Sequence, residues 1–264
     1  MQYTAIILAG QRPGVDPLAQ HFGAQWKALV PVCGAPMLTH VLATLDAATD
    51  VARICIVAQA ADIFADAIAD ARCTKPVATF IGNQGISSSL LAILDAGTDG
   101  GGAQFPLLVT TADHPLLTAD MVAQFLGDVG DADLAVAMVE RQVMLAQFPE
   151  AKRTWLRFAD GAWSGANLFA LTRPAARGAL TLWQAAEADR KRPWRLFRHF
   201  GWGLALRAIT RTIGLADGLA RAGVRLGMTA KLVPMADPVA AIDVDKPADH
   251  ALAEMILLRK DVAL

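Results

Sequence analysis

Tyr3-Thr-Ala-Ile-Ile-Leu-Ala9, running straight into Gly10-Gln-Arg-Pro-Gly14, is the stretch on which the reading of this chain turns. A short run rich in β-branched and apolar side chains that closes on glycine reads as a buried strand ending in a tight loop. Comparable runs follow at 53–58 (Arg-Ile-Cys-Ile-Val-Ala), 77–81, 105–111 and 133–139. Between them, 36–47, 60–71, 86–97 and 118–128 have the length and amphipathic spacing of helices, and Thr118 is placed to cap the last of these. Strands alternating with helices in this way imply βαβ units, and so an α/β fold with a mostly parallel sheet in three layers. Ligands of such sheets bind beyond the carboxyl ends of the strands, which is where the Gly10–Gly14 loop falls.

The second half is less regular. Residues 155–171 read as a hairpin with Asp160-Gly161 at its turn, and 174–226 as a helical insertion broken at Pro193 and at several glycines. A final strand at 229–234 leads into Ala241-Ile-Asp-Val-Asp245, and a closing helix starts at about 247. There is no internal repeat, low-complexity tract or linker, so 1–264 reads as a single domain.

Composition narrows the class. Of 264 residues, 54% are hydrophobic and 19% charged, which suits a large buried core and not a disordered chain. A formal charge of −1 weighs against a general nucleic-acid binder. Cys33, Cys55 and Cys73 are far apart, without CxxC spacing, and read as reduced core thiols with no zinc site or disulfide framework. The first run lacks the basic region and cleavage site of a signal peptide and is too short to span a bilayer, so a cytoplasmic protein is expected.

Three segments carry chemistry. The first loop matches neither GxGxxG nor GxxxxGK[ST], which sets aside a dinucleotide fold and a P-loop, but its glycines, Arg12 and Lys27 suit a triphosphate. The fourth strand ends in Leu108-Val-Thr-Thr-Ala-Asp113-His-Pro; a carboxylate at that edge suits Mg2+, a hard cation that wants oxygen ligands. Near the end, Ala241-Ile-Asp243-Val-Asp245-Lys-Pro-Ala-Asp249 would, on a strand, point Asp243 and Asp245 to one side, while Asp249 suits the first turn of the last helix. No Ser-His-Asp or Cys-His arrangement stands out.

Leu8-Ala-Gly10-x-Arg12-x-Gly14, followed by Lys27-x-Leu-x-Pro-x-x-Gly-x-Pro-Met-Leu, resembles the signature of the MobA-like nucleotidyltransferases, relatives of the molybdenum-cofactor guanylyl- and cytidylyltransferases. The resemblance implies a Rossmann-like fold of the GT-A type, in which the helical stretch at 174–226 is an insertion before the last strand that simpler members lack. It implies a nucleotidyltransferase that moves an NMP from an NTP to a small phosphorylated acceptor, with Mg2+ as cofactor. By the same resemblance Lys27 and Arg12 stabilise charge on the reacting phosphates, and Leu8, Ala9, Gly10 and Gly14 hold the nucleotide. Gly85, Ser87 and Ser88 face the base, in a segment similar to the cytidylyltransferase version, which tilts the donor towards CTP over GTP. Asp113, Asp245 and Asp243 hold the metal; Asn167, Arg157 and Ser164 contact the acceptor. Two departures stand out: Gln11 replaces a common second glycine, and 15–26 lengthen the loop.

A packed hairpin with Trp155 and Trp163 in the core is an equal reading of the acceptor segment. Basic and aromatic residues interleave over 190–207, suiting either a contact with an anionic head group or membrane surface, or a helical pair with a solvated basic face. Two other functions remain: a glycosyltransferase of the related fold using a nucleotide sugar, and a non-catalytic nucleotide-binding regulator.

Overall fold

The computed structural model describes residues 1–11, 14–83, 85–188 and 202–262. The central sheet is built from β1 (Tyr3–Leu8), β4 (Val51–Ala58), β5 (Val77–Ile81), β6 (Leu107–Thr111), β7 (Leu134–Glu140), β8 (Leu156–Phe158), β9 (Gly161–Leu171) and β10 (Ala230–Pro234). Its order is β10-β7-β9-β6-β1-β4-β5, with β8 paired to β9. β9 runs against its neighbours β6, β7 and β8, while the other pairings are parallel. The mostly parallel α/β sheet expected from the alternation is therefore observed. A separate two-residue ladder joins β2 (Pro31–Val32) to β3 (Ala35–Pro36).

Alternation along each strand divides the core into two layers. Ala5 and Ile7 of β1, Ile54 and Ile56 of β4 and Leu108 of β6 face one side. There they meet α2 (Met37–Ala47), α5 (Ala119–Val129), α6 (Arg141–Gln147) and the closing helix α10 (Pro247–Val262). Ile6, Cys55, Val57, Leu107 and Val109 face the other side, against α4 (Ile86–Ala96) and α7 (Arg177–Ala188). Strands covered on both faces read as continuous apolar runs, which is why those runs were visible in the sequence. Thr118 caps α5 as expected, its hydroxyl accepting from Met121 N at 3.2 Å.

Register places the site. Leu8 pairs with both Val57 and Thr111, Ala9 N donates to Val57 O and Ala112 N to Leu8 O. Gly82 N donates to Ala58 O one strand further out. The loops after β1, β4, β5 and β6 thus leave the sheet side by side at one edge.

Several expectations need correction. The helix read at 60–71 is confined to α3 (Ala65–Ala71). The lengthened loop folds into α1 (Pro17–His21), capped by Asp16, which accepts from Leu18 N at 2.9 Å and Ala19 N at 3.0 Å. The hairpin turn is Ala159-Asp160, and Gly161, at φ +133°, opens the returning strand. Ala241–Asp245 is not a strand: a short 3-10 turn over Pro238–Ala241 passes into extended chain without ladder bonds, so strand alternation does not aim Asp243 and Asp245. Within the insertion, α7, α8 (Trp202–Ile209) and α9 (Leu215–Arg225) are helical, whereas Pro193 and most of the basic-aromatic stretch lie outside the described residues. No described helix is long and apolar enough to cross a membrane.

Nor are the cysteines three core thiols. Cys33 is exposed, Cys73 half-buried and Cys55 fully buried. Burial pushes the Cys55 thiol up to about 11 despite the nearby Arg53. Alkylation of the native chain is expected to reach Cys33 first and Cys55 only on unfolding, as mass spectrometry of time-quenched samples would show. Early labelling of Cys55 would contradict the packing of β4.

Candidate active site

Lys27 opens a 3-10 turn, Lys27–Leu29, beneath the first loop. Its Nζ lies 2.5 Å from Asp113 Oδ2 and also donates to Asp245 Oδ1. One ammonium therefore joins the lysine after the first loop, the carboxylate at the end of β6 and a carboxylate near the C-terminus. Burial by itself would lower the Lys27 pKa; Asp113, and then Asp245, more than reverse this and hold it above the usual lysine range. A second bond locks the segments together, Val244 N donating to Asp113 O at 2.9 Å.

Gln11, which replaces a common glycine, has a structural explanation. Its Oε1 accepts from Lys27 N at 2.9 Å, its Nε2 donates to Gly14 O at 3.3 Å, and its carbonyl accepts from Gln59 Nε2 at 2.5 Å. The side chain ties the first loop to the lysine. Gly14 takes φ +109°, a conformation open to glycine and strained for other residues. Gly10 is exposed, and Leu8 and Ala9 run into it from the strand. Arg12 lies outside the described residues.

Across the edge, Gly85 takes the cap position of α4 and Ser87 and Ser88 fall in its first turn. Ser88 Oγ donates to Gly85 O at 3.0 Å, and Ser89 Oγ donates to the same carbonyl at 2.7 Å while accepting from Asn83 N at 2.9 Å. The serines thus fold the loop back on itself instead of capping the helix from outside. Gly82 admits no side chain, since a Cβ would sit 2.6 Å from Val57 Cγ1.

Beside the lysine lies a cavity of about 320 Å³ lined by Lys152, Arg153, Ser164, Asn167, Asp243 and Lys246, among others, with Asp245 in its wall. Of the three residues read as acceptor contacts, Ser164 and Asn167 line this cavity and Arg157, exposed on β8, does not. Asn167 sits where the β7–β9 register shifts, at φ +48°, a conformation asparagine tolerates better than most side chains. An irregularity of this kind re-aims a side chain, and Asn167 Nδ2 reaches Asp243 Oδ2 at 3.2 Å. Trp155 and Trp163 pack into apolar clusters, so the structural reading of the tryptophans also holds.

Asp243 departs most from expectation. Arg153 NH2 lies 2.5 Å from its Oδ1 and Asn167 holds its Oδ2, so both oxygens are engaged. Burial pushes its pKa up; Arg153 opposes this, and Asp113 and Asp245 add to it. The carboxylates left for a cation are Asp113 and Asp245. Asp113 Oδ1 is buried without a hydrogen-bond partner, an acceptor in search of a donor or a metal. Among the described residues no cluster of three or more His, Cys, Asp or Glu is placed to hold an ion on protein ligands alone. That donor set fits Mg2+, which is commonly held by one or two carboxylates with phosphate and water completing the shell. His114 is fully buried, and burial pushes its pKa down to about 4, leaving it neutral.

Comparison with known proteins agrees with this geometry. The sheet, the glycine-bearing first loop and the lysine at its edge define a nucleotide-handling α/β protein. Residues 5–200 match the model of the MobA-like NTP transferase domain, and the chain belongs to that family. A hypothetical transferase from Thermus thermophilus is 31% identical, with a TM-score of 0.75 over 95% of this chain and 100% of that one. The fold is shared with 4-diphosphocytidyl-2C-methyl-D-erythritol synthase from Anaerococcus prevotii (14% identity, TM-score 0.60, 98% and 96% of the two chains). It is shared too with a CMP:2-keto-3-deoxy-manno-octonic acid synthetase solved with CTP (12%, 0.57, 97% and 99%). Among curated proteins no relative matches the chain.

Lys27→Met should destabilise the chain by about 1–3 kcal/mol at neutral pH, because it leaves two carboxylates facing each other without their cation. The Lys27 pKa is raised in the folded state, so its contribution is complete below the unfolded value of 10.5 and fades only as pH rises past it. Denaturant unfolding should therefore show the deficit undiminished from pH 7 to pH 9, and a Lys27→Met chain as stable as the wild type over that range would contradict the pairing.

Proposed function

We propose that this chain is a magnesium-dependent nucleotidyltransferase, moving an NMP from an NTP to a small phosphorylated acceptor with release of pyrophosphate. The observation that carries the reading is the Lys27 ammonium between Asp113 and Asp245, next to the first loop, with Asp245 also lining the neighbouring cavity. The family assignment supports the class of reaction.

Backbone N–H groups around Gly10 and Gly14 would cradle the triphosphate, with Arg12 and Lys27 neutralising it. Lys27 can swing from the carboxylates to a non-bridging oxygen of the α-phosphate, where charge grows as the reaction proceeds. Asp113 and Asp245 would hold Mg2+, which supplies further charge neutralisation on the phosphates. An acceptor in the neighbouring cavity would meet Lys152 and Lys246, which pair with no carboxylate among the described residues, together with Ser164 and Asn167. One of its phosphate oxygens attacks the α-phosphorus, forming a new P–O bond as the α–β bridging bond breaks and pyrophosphate leaves with the electron pair. A phosphate nucleophile is already ionised near neutral pH, so positioning and charge neutralisation suffice without a general base. The resemblance of Gly85-Ile-Ser-Ser-Ser-Leu90 to the cytidylyltransferase segment favours CTP as donor.

A panel of small phosphorylated acceptors, screened by pyrophosphate release with each NTP and Mg2+, tests the reading. Asp113→Ala and Lys27→Ala should each lower kcat/KM by about a hundredfold or more on whichever acceptor the wild type uses. Turnover at the wild-type rate in Asp113→Ala would overturn the assignment of the site.

A further inference from the structure

No sequence motif marks Arg153, which lies in the segment between α6 and β8. Its guanidinium donates from Nε to Ala241 O at 2.9 Å and from NH2 to the same oxygen, and NH2 also reaches Asp243 Oδ1 at 2.5 Å. Its NH1 faces Asp249 Oδ1 at 3.6 Å. Asp249 turns its other oxygen back along the chain, Oδ2 accepting from Asp245 N at 3.3 Å and Lys246 N at 3.1 Å. One planar cation therefore grips the chain on both sides of Asp245, at 241 and 243 before it and at 249 after it.

Residues 242–246 belong to no helix or strand; Ile242 and Val244 are buried in the core, and Val244 N donates to Asp113 O at the end of β6. The Asp245 side chain is 56% exposed, so its direction rests on the Lys27 ammonium and on how the chain on either side of it is held. Arg153 lines the cavity beside Lys27 yet is only 11% exposed, and its donors are turned to Ala241, Asp243 and Asp249. Its Nε and NH2 are taken by Ala241 and Asp243, and NH1 faces Asp249.

We infer that Arg153 is a positioning residue that sets Asp245 opposite Asp113, so that the two carboxylates form one cation site. The inference rests on the reading of Asp113 and Asp245 as metal ligands. Lysine cannot replace it, because a point charge can meet one carboxylate but not span two carboxylates and a carbonyl in a fixed fork.

The test is Mn2+ affinity of the nucleotide-free full chain, read by electron paramagnetic resonance, for wild type, Asp245→Asn, Arg153→Met and the double variant. Arg153→Met is expected to weaken Mn2+ about tenfold or more, and the double variant to bind no more weakly than Asp245→Asn alone. Losses that multiply, or Arg153→Met binding Mn2+ like the wild type, would overturn the inference while leaving the metal reading intact. Should Arg153→Met fail to fold, Arg153→Lys takes its place: the same weakening with an unchanged melting temperature supports positioning, and unchanged affinity overturns it. Wild-type affinity that Asp245→Asn and Asp113→Asn leave untouched overturns the metal reading itself, and this inference with it.

Discussion

Everything at the working edge of this protein is arranged around one ammonium group held between two carboxylates. Lys27, Asp113 and Asp245 come from three distant parts of the chain, and their meeting fixes the first loop, the end of β6 and the C-terminal segment relative to one another. Two carboxylates brought this close to one ammonium repel each other, so the site needs a cation to be stable as built. Lys27 supplies it in the free protein. On the proposed reading, an NTP carrying Mg2+ would supply a larger positive charge to the same oxygens and an anionic partner for the displaced lysine, exchanging one ion pair for two.

The sheet makes this economical. Register aligns the ends of β1, β4, β5 and β6, so Gly10, Gly82 and the carboxylate of Asp113 emerge together at one edge. β9 enters antiparallel between β6 and β7 and carries Asn167 to the opposite wall through its register shift. The first-loop edge and the wall carrying Asn167 thus belong to one sheet, with Lys27 and Asp245 between them.

Much of this was legible in the sequence, for a physical reason. Strands buried on both faces must be continuously apolar, so β1, β4, β6 and β7 announced themselves within a few residues of their bounds. Asp113 was legible because a carboxylate closing such a strand has few structural uses. Arg153 was not, because an arginine in an irregular segment has no periodicity, and its partners lie some ninety residues away. The surroundings of Asp243 were hidden for the same reason: its segment is not a strand, and only tertiary contacts reveal that Arg153 and Asn167 meet its two oxygens. Gln11 looked like a lost glycine; its amide in fact replaces glycine's freedom with hydrogen bonds that tie the loop to Lys27.

The measurement that bears most directly on the account is titration calorimetry of the full chain with CTP, GTP, UTP and ATP, each with and without Mg2+. The account predicts saturable binding of one NTP, CTP foremost, that strengthens at least tenfold with Mg2+. No NTP binding under either condition, or binding indifferent to Mg2+, would contradict it.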